Sequence, residues 1–220
     1  MFAGDLSTRS GRVAAWRDSL FIDHAVFRTV WSNWAEVVPG VLYRSNHPTP
    51  ARLSQAMRRH HIRTLINLRG PRQCGSDALS REAASRLGLL HIDAPLESRG
   101  APHRDRILRL ADIFAGMQTP ALLHCKSGAD RTGLASGLYL LLHGGTSAAA
   151  LRQLSWRFGH FNRSRTGILD AFFLLYAAQA EGRLPFLDWV RDEYDEAGLK
   201  RDFVANGLAS FITDRILRRE

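Results

Sequence analysis

The run His124-Cys125-Lys126-Ser127-Gly128-Ala129-Asp130-Arg131-Thr132-Gly133 follows the short apolar stretch Pro120-Ala121-Leu122-Leu123. The apolar stretch reads as a buried strand, and the glycine at 128 as a turn. Arg131 to His143 reads as an apolar helix stopped by Gly144-Gly145. A strand that ends in a thiol, turns through a glycine and enters a helix at an arginine forms a trap for anions. Five residues separate Cys125 from Arg131, so the backbone N–H groups of Lys126, Ser127, Gly128 and Ala129 can point at one centre. The Arg131 guanidinium adds a planar fork suited to two phosphate oxygens, and the helix start adds its positive dipole end. The same field favours the thiolate form of a cysteine, the nucleophilic form.

His-Cys-x5-Arg-Thr-Gly resembles the signature of the cysteine-dependent phosphatases, the protein-tyrosine and dual-specificity superfamily. The resemblance is strongest over about residues 37–145 and is closest to the atypical bacterial members. It implies a phosphocysteine formed on Cys125, phosphoryl oxygens held by Arg131, and a leaving thiolate stabilised by Thr132. It also implies that His124 braces the loop and supports the thiolate. Cleavage of a phosphate ester needs an acid for the leaving oxygen and then a base for water. Asp130, inside the loop, ranks first for this role, since some bacterial and lipid-directed relatives carry an aspartate there. Asp93, 32 residues before Cys125, ranks second and matches the place used by protein-directed relatives. Glu97 ranks third.

Working outward, Val41–Arg44, Thr64–Leu68 and Leu89–Ile92 read as further strands. Helices are expected from Thr49 or Pro50 to about His60, over Ser80–Leu87 and over Pro102–Met117. Alternation of this kind predicts an α/β fold: a central, mostly parallel sheet of about four to five strands flanked by helices. Arg69, Asp93 and Cys125 each fall just after a predicted strand, where ligands of such sheets bind. The second half is expected to be helical, at Thr146–Arg157, Gly167–Ala180, Pro185–Glu196 and Phe203–Arg218. The expected division is an N-terminal helical extension, 1–36, before a catalytic domain at 37–220. In the extension, residues 1–12 read as frayed and Ala14–Trp34 as a helix. That helix either packs on the catalytic core or, given its tryptophans and arginines, lies at a membrane interface.

The chain has 220 residues, 45% hydrophobic, with a formal net charge of +9. Its only lysines are Lys126 and Lys200, which sets Lys126 apart inside the loop. The basic balance favours anionic partners. The dispersed arginines and the lack of a recognition motif argue against nucleic acid. Lys126 and Arg69 are candidate contacts for a substrate with additional phosphates. Ser98-Arg99-Gly100 is a candidate lid, and His160, Arg163 and Arg165 form a second basic loop. Two cysteines, Cys74 and Cys125, make no disulfide framework and suit a reducing compartment. A redox pairing of the two is the alternative to an ordinary loop cysteine at 74. No apolar h-region stands in the first fifteen residues, so the expected location is the cytoplasm, extending to the inner-membrane surface if the N-terminal helix is interfacial. No zinc-type spacing occurs and the chemistry requires no cofactor. The expected activity is phosphomonoester hydrolysis of tyrosine or dual-specificity type. An inositol-phosphate, phospholipid or envelope-saccharide phosphatase is the alternative. A rhodanese-like sulfurtransferase or a phosphate-binding module stands further off.

Overall fold

Four short apolar runs each supply one strand of a parallel array, and a fifth strand that sequence periodicity does not reveal closes its edge. The computed structural model describes residues 4–23 and 31–212, with side chains described through 204. The strands are β1 (Ala35–Val38), β2 (Leu42–Ser45), β3 (Thr64–Asn67), β4 (Leu90–Asp93) and β5 (Ala121–His124), in the order β1-β2-β5-β3-β4. β1 runs antiparallel to β2, and the other pairings are parallel. The expected fold class is therefore the one found. β1 begins directly after the expected helix Ala14–Trp34, whose last residues, 31–34, are not helical, and the Pro39-Gly40 turn joins β1 to β2 as a hairpin.

The chain divides into two compact units, Met1–Pro95 with Met117–Gly128 and Leu96–Gly116 with Ala129–Glu220. The first holds the whole sheet together with α1 (Arg9–Arg17), α2 (Pro50–His60) and α3 (Gly75–Arg86). Register sets Tyr43, Leu122 and Leu65 side by side on one face. These three join Leu53 and Ala56 of α2 and Ala83 and Ala84 of α3 in one buried cluster. Thr49 caps α2 through its side chain, and Pro50 opens it at a position where a missing N–H costs nothing. α1 starts at Arg9, earlier than expected, and passes into a π-helical turn, Asp18–Ile22. Both pack on α3: Ser19 and Ser76 hydroxyls lie 2.8 Å apart, and Asp18 accepts from the Gly75 N–H. Over this part the N-terminal helix is docked on the protein's own core. The remainder of its expected span, 24–30, lies outside the described residues, and no helix among those described is long and apolar enough to cross a membrane.

The second unit is helical among the described residues: α4 (Arg104–Gly116), α5 (Asp130–Leu142), α6 (Ser147–Arg152), α7 (Ile168–Gln179), α8 (Phe186–Asp192) and α9 (Glu196–Ile212). Phe172, Phe173, Trp189 and Tyr194 form its aromatic centre, all fully buried. Gly137 of α5 lets the Phe173 ring approach, since a Cβ there would sit 2.6 Å from that ring.

Leu122 is central in the sheet and completely buried. Leu122→Ala is expected to destabilise the protein by about 2–5 kcal/mol, read from the midpoint of urea unfolding.

Candidate active site

At the carboxyl end of the sheet, register aligns Ser45, His124, Asn67 and Asp93 in one polar row. Cys125 is the next residue of β5's chain, 3% exposed, at the head of the loop that leads to α5. Three consecutive carbonyls of that loop are tied to donors on and around β2. The His47 N–H donates to the Lys126 carbonyl at 3.3 Å, and the Asn33 side-chain amide donates to that of Ser127 at 2.9 Å. The guanidinium of Arg44, completely buried, donates to that of Gly128 at 2.8 Å. In a trans peptide the C=O and the following N–H point in opposite directions. Holding these carbonyls toward β2 therefore turns the N–H groups of Ser127, Gly128 and Ala129 the other way. The Gly128 N–H accordingly points to the Cys125 sulfur, at 3.3 Å.

Gly128 is required twice over. Its φ is +78°, and a Cβ would lie 2.7 Å from the Asn46 nitrogen and 2.8 Å from the Ser45 carbonyl. His124 is fully buried. Burial above all, then the charges of its neighbours, pushes its pKa well below the ordinary value, so its imidazole is neutral. It packs edge-on to the His47 ring, and its carbonyl accepts from the Leu68 N–H. His124 therefore packs beside the loop as a neutral ring and contributes no positive charge to the sulfur.

The loop's second half opens α5. Ala129 occupies the cap position and offers no capping side chain, which leaves the helix start without a side-chain acceptor of its own. Asp130 is the first helical residue, and its Oδ1 lies 2.8 Å from Nδ1 of His160. Arg131 donates to the Ser98 hydroxyl at 3.2 Å, so the expected lid loop does meet a loop arginine. Thr132 is buried, and its hydroxyl has no hydrogen-bond partner among the described residues.

A family described as a polymorphic toxin system DSP-PTPase phosphatase matches residues 41–145. Over residues 41–145 the chain is thus similar to the dual-specificity and tyrosine phosphatase class of that family. Its activity class is that of a phosphoric monoester hydrolase. Solved structures share the fold. TpbA of P. aeruginosa is 20% identical over 79% of this chain and 91% of that one, with a TM-score of 0.53. A DUF442 protein from Shewanella putrefaciens CN-32 is 15% identical over 70% and 95%, with a TM-score of 0.53. The Siw14 catalytic core is 16% identical over 81% and 94%, with a TM-score of 0.52. Among curated proteins none matches the chain.

Within this phosphatase, several predicted residues have partners that sequence did not announce. Arg69 forms a two-pronged ion pair with Asp23, both contacts 3.0 Å, and the Lys126 ammonium lies 3.4 Å from the same carboxylate. Asp93 accepts two bonds from Arg81, both 2.8 Å, and one from Asn67 at 2.9 Å. Glu97 pairs with Arg106 at 2.5 Å. Of the three candidate acids, Asp93 and Glu97 are therefore held by arginines, and Asp130 by a histidine. Cys74 and Cys125 are both free thiols. Sequence missed Asn33, Arg44, His47, Asp23 and Asp170. None lies within a motif, and the one available signal was a basic residue, Arg44, inside an otherwise buried strand.

Gly128→Ala places a methyl group against the β2 backbone. It is expected to lower the thermal midpoint by several degrees and to reduce phosphatase turnover by at least tenfold in whatever fraction folds, read by calorimetry and by phosphate release.

Proposed function

We propose that this phosphatase cleaves phosphate monoesters through a phosphocysteine on Cys125. The supporting observation is the loop itself, whose three outward-tied carbonyls turn the opposite N–H groups away from β2, that of Gly128 toward the sulfur. The thiolate attacks phosphorus while the N–H cradle and the Arg131 fork stabilise the charge on the phosphoryl oxygens. Asp130 gives a proton to the leaving oxygen. Water then attacks the phosphocysteine, with Asp130 accepting its proton, and the Thr132 hydroxyl donates to the departing thiolate. Ser127, Gly128 and Ala129 bind substrate through backbone N–H groups, so their side chains need carry no charge.

The preferred substrate is a singly phosphorylated group with an aryl or alkyl leaving oxygen, phosphotyrosine being the type. An inositol polyphosphate or phospholipid headgroup would call on additional cations, and Arg69 and Lys126 were the candidates. Asp23 pairs with both and offsets much of their field. Lys126 remains half exposed and is the residue through which a second anionic group would be met.

Cys125→Ser is expected to reduce p-nitrophenyl phosphate turnover to the buffer rate while the protein still binds inorganic vanadate or phosphate; persistent turnover would exclude the covalent route. Asp130→Asn is expected to lower kcat for phenyl phosphate by about 100-fold, with a much smaller loss for p-nitrophenyl phosphate, whose leaving group needs little protonation. A panel of phosphotyrosine peptide, inositol hexakisphosphate and phosphatidylglycerol phosphate, read by phosphate release, checks the substrate class; the peptide is expected to turn over fastest.

A further inference from the structure

His160 lies in the segment between two 3-10 turns, Trp156–Phe158 and Arg165–Gly167. From sequence it groups with Arg163 and Arg165 as a basic surface loop. Those arginines are exposed, but the imidazole turns inward and the residue is 2% exposed. Its Nδ1 lies 2.8 Å from Oδ1 of Asp130, on α5, and its Nε2 lies 2.6 Å from Oδ2 of Asp170, in the first turn of α7. A carboxylate only accepts, so each of these gaps needs a hydrogen supplied by the ring, and the ring that supplies both is the imidazolium. The charged groups facing it are Asp130 from α5 and Asp170 from α7, while Arg157, Arg163 and Arg165 of its own loop point to solvent.

We propose that His160 is the positioning residue of Asp130, anchored from behind by Asp170, so that one carboxyl oxygen of Asp130 is fixed while the other meets the substrate's leaving oxygen. This rests on the phosphatase reading above. Exposure grades along the line: the side chains of His160 and Asp170 are 1% and 9% exposed, and that of Asp130 is 25%. The buried end is thus the anchor and the open end the working group. In the first step the substrate's monoanion gives its proton to Oδ2 of the Asp130 carboxylate, the S–P bond forms, the P–O bond to the leaving group breaks, and Oδ2 passes that proton to the leaving oxygen. The carboxylate left behind keeps the N–H of His160 on Oδ1. In the second step water forms the new O–P bond, the S–P bond breaks, and Oδ2 takes the water's proton. His160 gives up no proton in either step.

Burial alone would lower the imidazole pKa, but the hydrogen bonds and charges of Asp130 and Asp170 raise it to about 9. Above that pH the ring keeps a single N–H for two carboxylates. The more buried Asp170 loses more by going without, so it retains the donor and Asp130 is released. The stability the imidazolium contributes is complete below its ordinary value of about 6.5 and is lost as pH rises through about 9.

The test uses the full chain, with p-nitrophenyl and phenyl phosphate as probes between pH 5 and 10. His160→Gln is expected to lower kcat for phenyl phosphate about tenfold or more and kcat for p-nitrophenyl phosphate much less, since only the former depends on a well-placed acid. Asp170→Asn is expected to move the alkaline limb of the phenyl phosphate profile from about pH 9 toward the ordinary imidazole range. Equal losses on both substrates in folded variants, or an unmoved limb, would overturn the proposal. If His160→Gln does not fold, NMR titration of His160 in the wild type decides: a midpoint near 9 that falls in Asp170→Asn supports the assembly, and one near 6.5 in the wild type refutes it. A wild type no more active than Cys125→Ser refutes the phosphatase reading and takes this proposal with it. That outcome is distinct from an active, Cys125-dependent enzyme whose His160 and Asp170 variants show no leaving-group contrast.

Discussion

Everything at the active site depends on three carbonyl oxygens being held in the wrong direction for a helix and the right one for an anion. Lys126, Ser127 and Gly128 would by themselves form a flexible turn. The backbone N–H of His47, the side-chain amide of Asn33 and the guanidinium of Arg44 hold their carbonyls against β2. Two of the three donors are buried polar side chains, and a buried donor without an acceptor costs about 1–3 kcal/mol. The loop conformation is therefore stabilised from both sides, by what the carbonyls gain and by what Arg44 and Asn33 would lose. Preorganisation of this kind is what lets N–H dipoles act on developing charge without reorganising during the reaction.

The disposition of charge around this loop is more restrained than the net charge of +9 suggests. His124, adjacent to Cys125, is neutral. Arg69 is committed to Asp23, which also draws Lys126. Within the sheet unit the side-chain cations nearest the loop are thus offset by a carboxylate, and the backbone N–H dipoles of the loop are its undiluted source of positive field.

The sheet and the loop were legible in the sequence because both are written in short-range signals. Continuous apolar runs mark β2, β3, β4 and β5, and Thr49-Pro50 and Thr146-Ser147 mark helix starts that the structure places within one residue. β1 was illegible because Ala35-Glu36-Val37-Val38 follows a stretch rich in tryptophan and arginine that reads equally well as helix. Its strand character comes from pairing with β2, a tertiary cause. The partners of the candidate site were illegible for the same reason. Asn33 lies 94 residues from the carbonyl it holds and Asp23 lies 46 from Arg69, and no local pattern announces either. His160 misled in the opposite direction: its neighbours in sequence are exposed cations, yet the Gly159 turn, at φ +77°, and the 3-10 turns on either side send its ring inward.

The division of the chain into two units falls at the Gly128–Ala129 peptide, inside the loop. Cys125 and the outward-tied carbonyls belong to the sheet unit. Asp130, Arg131 and Thr132 belong to the helical unit. Each half is stabilised by its own unit's residues: Asn33, Arg44 and His47 for the first, His160, Asp170 and Ser98 for the second. The five-residue spacing between Cys125 and Arg131 is legible in sequence because it is local, whereas the supporting residues of each half lie far apart in sequence.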